Sequence, residues 1–232
     1  DAAVFKKAYD VTPAGNWEGK CILNRRGGLY EQDLEDKLAR CRTRLLEARA
    51  GRVPPAWDDK VLADWNGLMI AALARAGAIF DESPWVDAAE TAFAFVAEHM
   101  SENGRLRHSW RAGRLRHAAV LDDYANMGRA ALALFEATGK LAYLDRARTW
   151  ADDVHVHYRD DGGAGYFLSC GDADDVIVRS KPVTDPAIPP GHCTIVHVLV
   201  PLYHPTCAAT YHPTARHPYH SLSAHHPHYP AP

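Results

Sequence analysis

The chain has 232 residues, 47% of them hydrophobic, and its 26 basic and 29 acidic side chains give a formal net charge of -3. This length and composition suffice to bury the core of one large domain or two small ones, and the charge balance excludes the broad basic surface that nucleic-acid binding needs. No apolar run approaches a membrane span, and the five cysteines (Cys21, Cys41, Cys170, Cys193, Cys207) form no C-x-x-C pair, which argues against a disulfide framework or a structural zinc site. The expectation is a globular protein of a reducing, cytoplasmic compartment with neither a nucleic-acid nor a membrane partner. The sequence starts at Asp1 without a charged-then-apolar leader or a lipidation signal, so a targeting segment is expected to be absent or removed.

In chain order, residues 3–9 predict a short helix, ended by the turn formers Thr12-Pro13-Ala14-Gly15-Asn16. Residues 17–24 predict an extended stretch, and together these make an opening segment over residues 1–30. Between residues 31 and 49, Leu34, Leu38, Cys41, Leu45 and Ala48 recur at helical spacing, predicting an amphipathic helix whose arginines form the solvated side. After Pro54-Pro55, residues 60–80 predict a helix that is apolar nearly all round and therefore buried. Ser83-Pro84 opens a second helix to residue 100, with Ala88, Ala92, Phe95, Val96 and Met100 expected on one side. Residues 104–110 and 114–117, separated by Arg111-Ala112-Gly113, predict a small β-hairpin.

The pattern then returns. Leu121-Asp122-Asp123-Tyr124-Ala125-Asn126 leads into an alanine- and leucine-rich helix, residues 143–158 form its partner, and Asn66 and Asn126 stand in equivalent places. A third copy follows Pro189-Pro190-Gly191, where residues 202–211 align without a gap on residues 134–143. The barrel-forming repeats are thus expected over residues 31–191 as helix–hairpin units of a long period. In the third copy, Pro201, Pro205, Pro213 and Pro218 fall where the first two copies have helix, and an interior proline costs about 3 kcal/mol, so those helices are expected to break. Nine of the fourteen histidines lie at or beyond His192. Residues 192–232 are either an irregular His/Pro-rich extension or a third repeat whose written residues depart from the true ones.

Three stretches carry a family resemblance: residues 9–24 around Gly15-Asn16-Trp17-Glu18-Gly19-Lys20, residues 55–70 around Asp64-Trp65-Asn66-Gly67-Leu68-Met69, and Leu121-Asp122-Asp123-Tyr124-Ala125. Gly165-Tyr166-Phe167 and residues 181–191 extend it. The chain resembles the helical-barrel portion of thioredoxin-domain-containing proteins of the spermatogenesis-associated protein 20 type. The resemblance implies an all-α fold, a partial (α/α) toroid of helical hairpins with short β-hairpin excursions, like that of six-hairpin glycosidases and sugar 2-epimerases. It also implies a thioredoxin-like domain as a partner, which these residues do not include. The family pattern at the third repeat is small-Gly-Asn, and this chain has Pro190-Gly191-His192 instead.

In such a toroid the loops entering the inner helices meet at one mouth, so the segments around residues 58–66, 122–126 and 185–192 are expected to converge. Paired carboxylates are what sugar chemistry needs, one protonating a leaving oxygen while the other activates water or stabilises positive charge. Asp59 and Asp123 are the expected acid/base pair, with Asp122 and Asp185 in reserve. Trp57, Trp65 and Tyr124 are candidate platforms for a sugar ring, and Asn66 and Lys181 candidate partners of its hydroxyls. Against this stand helix capping for each aspartate and a wedge role between helices for Trp65 and Tyr124. Epimerases of this architecture use histidines as bases, but His108 and His117, flanked by arginines in the hairpin, read as surface residues. His155 and His157 point to different sides of a helix and make a poor metal pair. Gly162-Gly163-Ala164-Gly165 lacks the ending of a phosphate loop, and no cofactor or closed metal site is expected. Three functions follow: a carbohydrate-active or carbohydrate-binding domain, hydrolase- or epimerase-like; a non-catalytic scaffold for the thioredoxin-like domain; or loose Zn²⁺ or Ni²⁺ binding through His225, His226, His228 and the other histidines of the tail.

Overall fold

The computed structural model describes residues 1–28, 30–163, 165–173, 176–182 and 188–206. The chain divides into two compact units, Asp1–Asp58 and Asp59–Pro232. The helix expected to open the barrel repeats therefore falls in the first unit. There α1 (Ala2–Ala8) packs on α2 (Gln32–Ala50) around buried Phe5, Ala8 and Leu38. Of the apolar stripe expected on α2, only Leu38 is buried, and Leu45 is exposed. The reason is length: seven residues of α1 reach about 10 Å and cannot cover a 19-residue helix. The stretch expected to be extended, residues 17–24, contributes one isolated bridge, Trp17 to Lys20. Asn16 ties it down instead, donating to the Ile22 carbonyl (2.9 Å) and accepting the Ile22 N–H (2.7 Å).

The second unit is built from two helical hairpins and the start of a third. α3 (Ala63–Phe80) and α4 (Ser83–His99) have 18 and 17 residues, and so do α5 (Leu121–Thr138) and α6 (Leu141–His157). Both inner helices end on a left-handed residue, Asp81 and Gly139, the usual way of closing the last turn. α3 packs chiefly on α5 and α4, and α5 also on α6 and α7 (Gly191–Thr194). Gly67 lets the inner helices touch, because a Cβ there would lie 2.6 Å from the Asn126 carbonyl carbon.

Two details correct the expected elements. α3 begins at Ala63, because Val61–Leu62 form a short strand, β1, that pairs with Trp110 and Ser109. The buried side of α4 is Ala89, Phe93, Val96 and Met100, while Ala88 is exposed. Phe93 meets Tyr143 and Trp150 of α6, whereas Phe95 turns to Trp110 of the hairpin.

Strands β2 (Ser101–Glu102), β3 (Arg105–Arg111) and β4 (Arg114–Ala118) complete a small antiparallel sheet, in which β1 and β2 flank β3 and β4 pairs with β3 on the edge away from β1. Ala112 and Gly113, both at positive φ, form the tight β3–β4 turn, whose twist matches that of the strands. Val61, Trp110 and Leu115, paired across the sheet, face the core. Among the described residues, no helix is long and apolar enough to cross a membrane.

The third repeat opens with α7 and α8 (Val196–Thr206), and α8 continues through Pro201 rather than breaking. Burial of Val198, Leu199 and Leu202 in the common core offsets the hydrogen bond that Pro201 cannot donate. Asp185, residues 207–211 of the repeat alignment and the histidines of the distal tail lie outside the described residues.

Candidate functional site

Several buried and half-buried polar groups of the second unit collect where α3 and α5 begin. Asp64 is the second residue of α3, Asp122 and Asp123 are the second and third of α5, and His108 reaches the same point from β3. Asp123 is fully buried. One of its oxygens accepts the backbone N–H of Asp64 (3.0 Å) and the other accepts that of Val120 (2.7 Å). The carboxylate thus caps its own helix, as the capping reading expected, and also secures the start of the neighbouring one. His108 Nδ1 lies 3.0 Å from both Asp123 oxygens, so Asp123 fixes the ring and leaves Nε2 as the nitrogen turned to other partners.

Asp64 accepts the N–H of Trp65 (2.8 Å). Burial, and then the charge of Asp123, push its carboxyl above the usual range. The hydrogen bond to Asp123 holds the His108 imidazole above its ordinary value, against the effect of burial. Burial also raises Asp122, whose Oδ1 accepts the Gly191 N–H (2.6 Å) and so links the second repeat to the third. A carboxyl that holds its proton more tightly than usual beside an oriented imidazole is a pair suited to proton transfer. One ligating atom each from Asp64, His108 and Asp123 lie within 4.8 Å of one another, a spacing within reach of a single cation, although Asp123 is already engaged by two N–H groups and the ring.

Nearby on α5, Asn126 is fully buried and, among the described residues, neither atom of its amide has a hydrogen-bond partner. In the third repeat His192 is buried, with Nδ1 3.2 Å from the Tyr166 carbonyl, and burial lowers its pKa.

The residues singled out from sequence are divided by this geometry. Asp123 and Asp122 lie in the cluster. Asp59, the expected partner of Asp123, instead pairs with Arg111 and lines a cavity with Ser109 and Arg111, on the sheet face opposite His108. Tyr124 is not available as a platform: its ring is buried against Tyr158 and its hydroxyl accepts the Leu106 N–H (3.1 Å), which is the wedge role. Trp65 is exposed on α3, and Asn66 donates to the Leu62 carbonyl (2.8 Å). Lys181 pairs with Asp160 and sits over the Phe167 ring. Trp57 is exposed in the first unit, and Asp185 is not among the described residues.

His108 and Asp64 are the members that the sequence reading did not select. His108 was expected at the surface, yet it alternates with Leu106 and Trp110 along β3, and that period-two pattern assigns it to the core face.

No family model matches the chain. It is 30% identical to spermatogenesis-associated protein 20 of Rattus norvegicus and 29% identical to that of Homo sapiens, each over 86% of this chain. The chain spans 29% of the length of these curated relatives. Among solved structures it is similar to cellobiose 2-epimerase from Spirochaeta thermophila, with a TM-score of 0.58 and 15% identity over 84% of this chain and 56% of that one. It is also similar to an inactive variant of the α-1,6-mannanase of Salegentibacter sp. HEL1_6, with two successive aspartates replaced by asparagine, in complex with α-1,6-mannotriose. That likeness has a TM-score of 0.56 and 12% identity, over 99% of this chain and 69% of the mannanase. At such identities the solved structures establish the fold alone. The chain is a homologue of part of the spermatogenesis-associated protein 20 family, with the α/α-toroid fold of six-hairpin glycosidases and sugar 2-epimerases.

Proposed function

We infer that the cluster of Asp64, His108, Asp122 and Asp123 is a carbohydrate-handling site. The observation that carries this reading is the His108–Asp123 pair, with Asp64 beside it, at the common start of two inner helices. In this reading Asp123 orients the imidazole, His108 takes and returns a proton beside a sugar carbonyl, and Asp64 supplies a proton to the oxygen on which charge develops. The exposed Trp65 ring offers an apolar surface near the start of α3.

Epimerase-like proton transfer is favoured over inverting hydrolysis by spacing. Ligating oxygens of Asp64 and Asp123 lie within 4.8 Å, whereas a water between two carboxyls needs about 6.5–9.5 Å. The successive pair Asp122-Asp123 keeps a hydrolytic variant of the reading in view, since the mannanase variant described as inactive has two successive aspartates replaced.

The test is a thermal-shift screen against mono- and disaccharides, followed by incubation of any binder in D₂O. A ligand that binds only the folded chain raises its Tm. Saturable stabilisation, with deuterium entering a C–H beside the sugar carbonyl and both lost in His108→Gln, is the expected result. Stabilisation with release of a shorter sugar and no exchange would favour hydrolysis. Absence of any saccharide shift at millimolar concentration overturns the reading. It would favour the second one, a non-catalytic scaffold serving a thioredoxin-like domain, which gains support from Asp123 being fully buried and engaged by backbone.

A further inference from the structure

The face of the β1–β3–β4 sheet opposite His108 carries an unusual concentration of positive charge. Alternation along β3 and β4 places Ser109, Arg111, Arg114 and Arg116 on one side, and the register pairs Arg111 with Arg114 and Ser109 with Arg116. These residues, with Asp59, Lys60 and Ala112, line a cavity of about 530 Å³, within the range of small-molecule sites. Its charged lining is four cations to one carboxylate.

Asp59 binds the Arg111 guanidinium at Nε, and among the described residues no carboxylate pairs with Arg114 or Arg116. Like charges directly opposite across a sheet are destabilising, so the Arg111–Arg114 pair is a cost to the hairpin that an anion between them would remove. Arg114 and Arg116 project two residues apart, about 7 Å along the strand, a span that lets two guanidinium forks grip one oxyanion from different sides.

We propose that this cavity binds a small molecule bearing an oxyanion, either a phosphate ester or a carboxylate. Arg114 and Arg116 hold the charged group, Arg111 is fixed in place by Asp59, and the remaining volume accepts the body of the ligand. The site lies on the other face of the sheet from His108 and Asp123 and does not depend on the carbohydrate reading.

The test is calorimetric titration of the chain at constant ionic strength with inorganic phosphate, glucose 6-phosphate and glucuronate, each compared with sodium chloride. The same titrations are run on the double variant Arg114→Gln/Arg116→Gln. Both side chains are exposed, so the variant is expected to fold with an unchanged or raised Tm. Saturable binding of an oxyanion that weakens about tenfold or more in the variant supports the proposal, and the phosphate and carboxylate arms identify the source of the charge. Heat that does not saturate, equal binding by wild type and variant, or an equal response to chloride would overturn it.

Discussion

Helices α3 and α5 have the same length and occupy equivalent places in successive repeats, yet they are buried very differently. Twelve residues of α5 are buried and seven of α3, although α3 is the more apolar helix. Positions sixty residues apart make the contrast local. Trp65 is 61% exposed where Ala125 is 0%, and Ala72 is exposed where Leu132 is 6%. Place in the array decides this: α5 has α3 on one flank and α7 on the other, whereas the helices that cover α3 among the described residues are α5 and α4. Hydrophobicity therefore says that an inner helix is meant to be covered, and repeat order says how much of it is.

The sharpest way to break the comparison is to empty the covered helix. Leu134→Ala on α5, where Leu134 is wholly buried, should cost about 2–5 kcal/mol in denaturant unfolding. Asp123→Asn, which keeps the shape but weakens the acceptor of two backbone N–H groups and the His108 ring, should cost about 1–3 kcal/mol. Gly67→Ala drives a Cβ into the Asn126 backbone, with an expected loss of about 1–3 kcal/mol from overpacking. Gly128→Ala on α5 meets only the Val198 side chain, at 3.1 Å and beyond, and should cost less.

A pH series tests the electrostatics at the same contact. Because Asp123 holds His108 above its ordinary value, its stabilisation is complete below the ordinary imidazole range and is lost as pH rises through the raised value. Asp64, raised mainly by burial, acts in the same sense from the carboxylate range upward. His192 and His155, lowered by burial, act in the opposite sense, so the signature of His108 is the difference: between about pH 5 and about pH 8 rising pH should lower Tm more in the wild type than in His108→Gln. Equal slopes in the two proteins would remove the His108 contribution. The smallest effect is expected on the open flank: Met69→Ala, at a position 60% exposed, should change stability by no more than about 0.5 kcal/mol. A loss approaching that of Leu134→Ala would mean the flank is covered in solution.

The hairpins, their order and the repeat are legible in the sequence because each rests on local period and on turn residues such as Ala112-Gly113 and Gly139. What escapes is set by distant partners. Val61 and Leu62 read as the start of a helix because the strand that claims them is nearly fifty residues away. Asp59 resembles the acidic start of α5 in composition, but it precedes a strand on the outer face and is engaged by Arg111. His108 was accessible to sequence reasoning through its alternation with Leu106 and Trp110, and the neighbouring arginines hid that signal. The persistence of α8 through Pro201 shows a buried apolar face outweighing a local rule.

The measurement that bears most directly on the central claim is an NMR titration of the His108 imidazole, assigned with His108→Gln, in the absence and presence of the saccharide panel. The account predicts titration above the ordinary imidazole range in the free chain and a saturable change in the His108 resonances with at least one sugar. Titration at or below the ordinary range, with resonances indifferent to every sugar, would contradict both the Asp123 pairing and the site built on it.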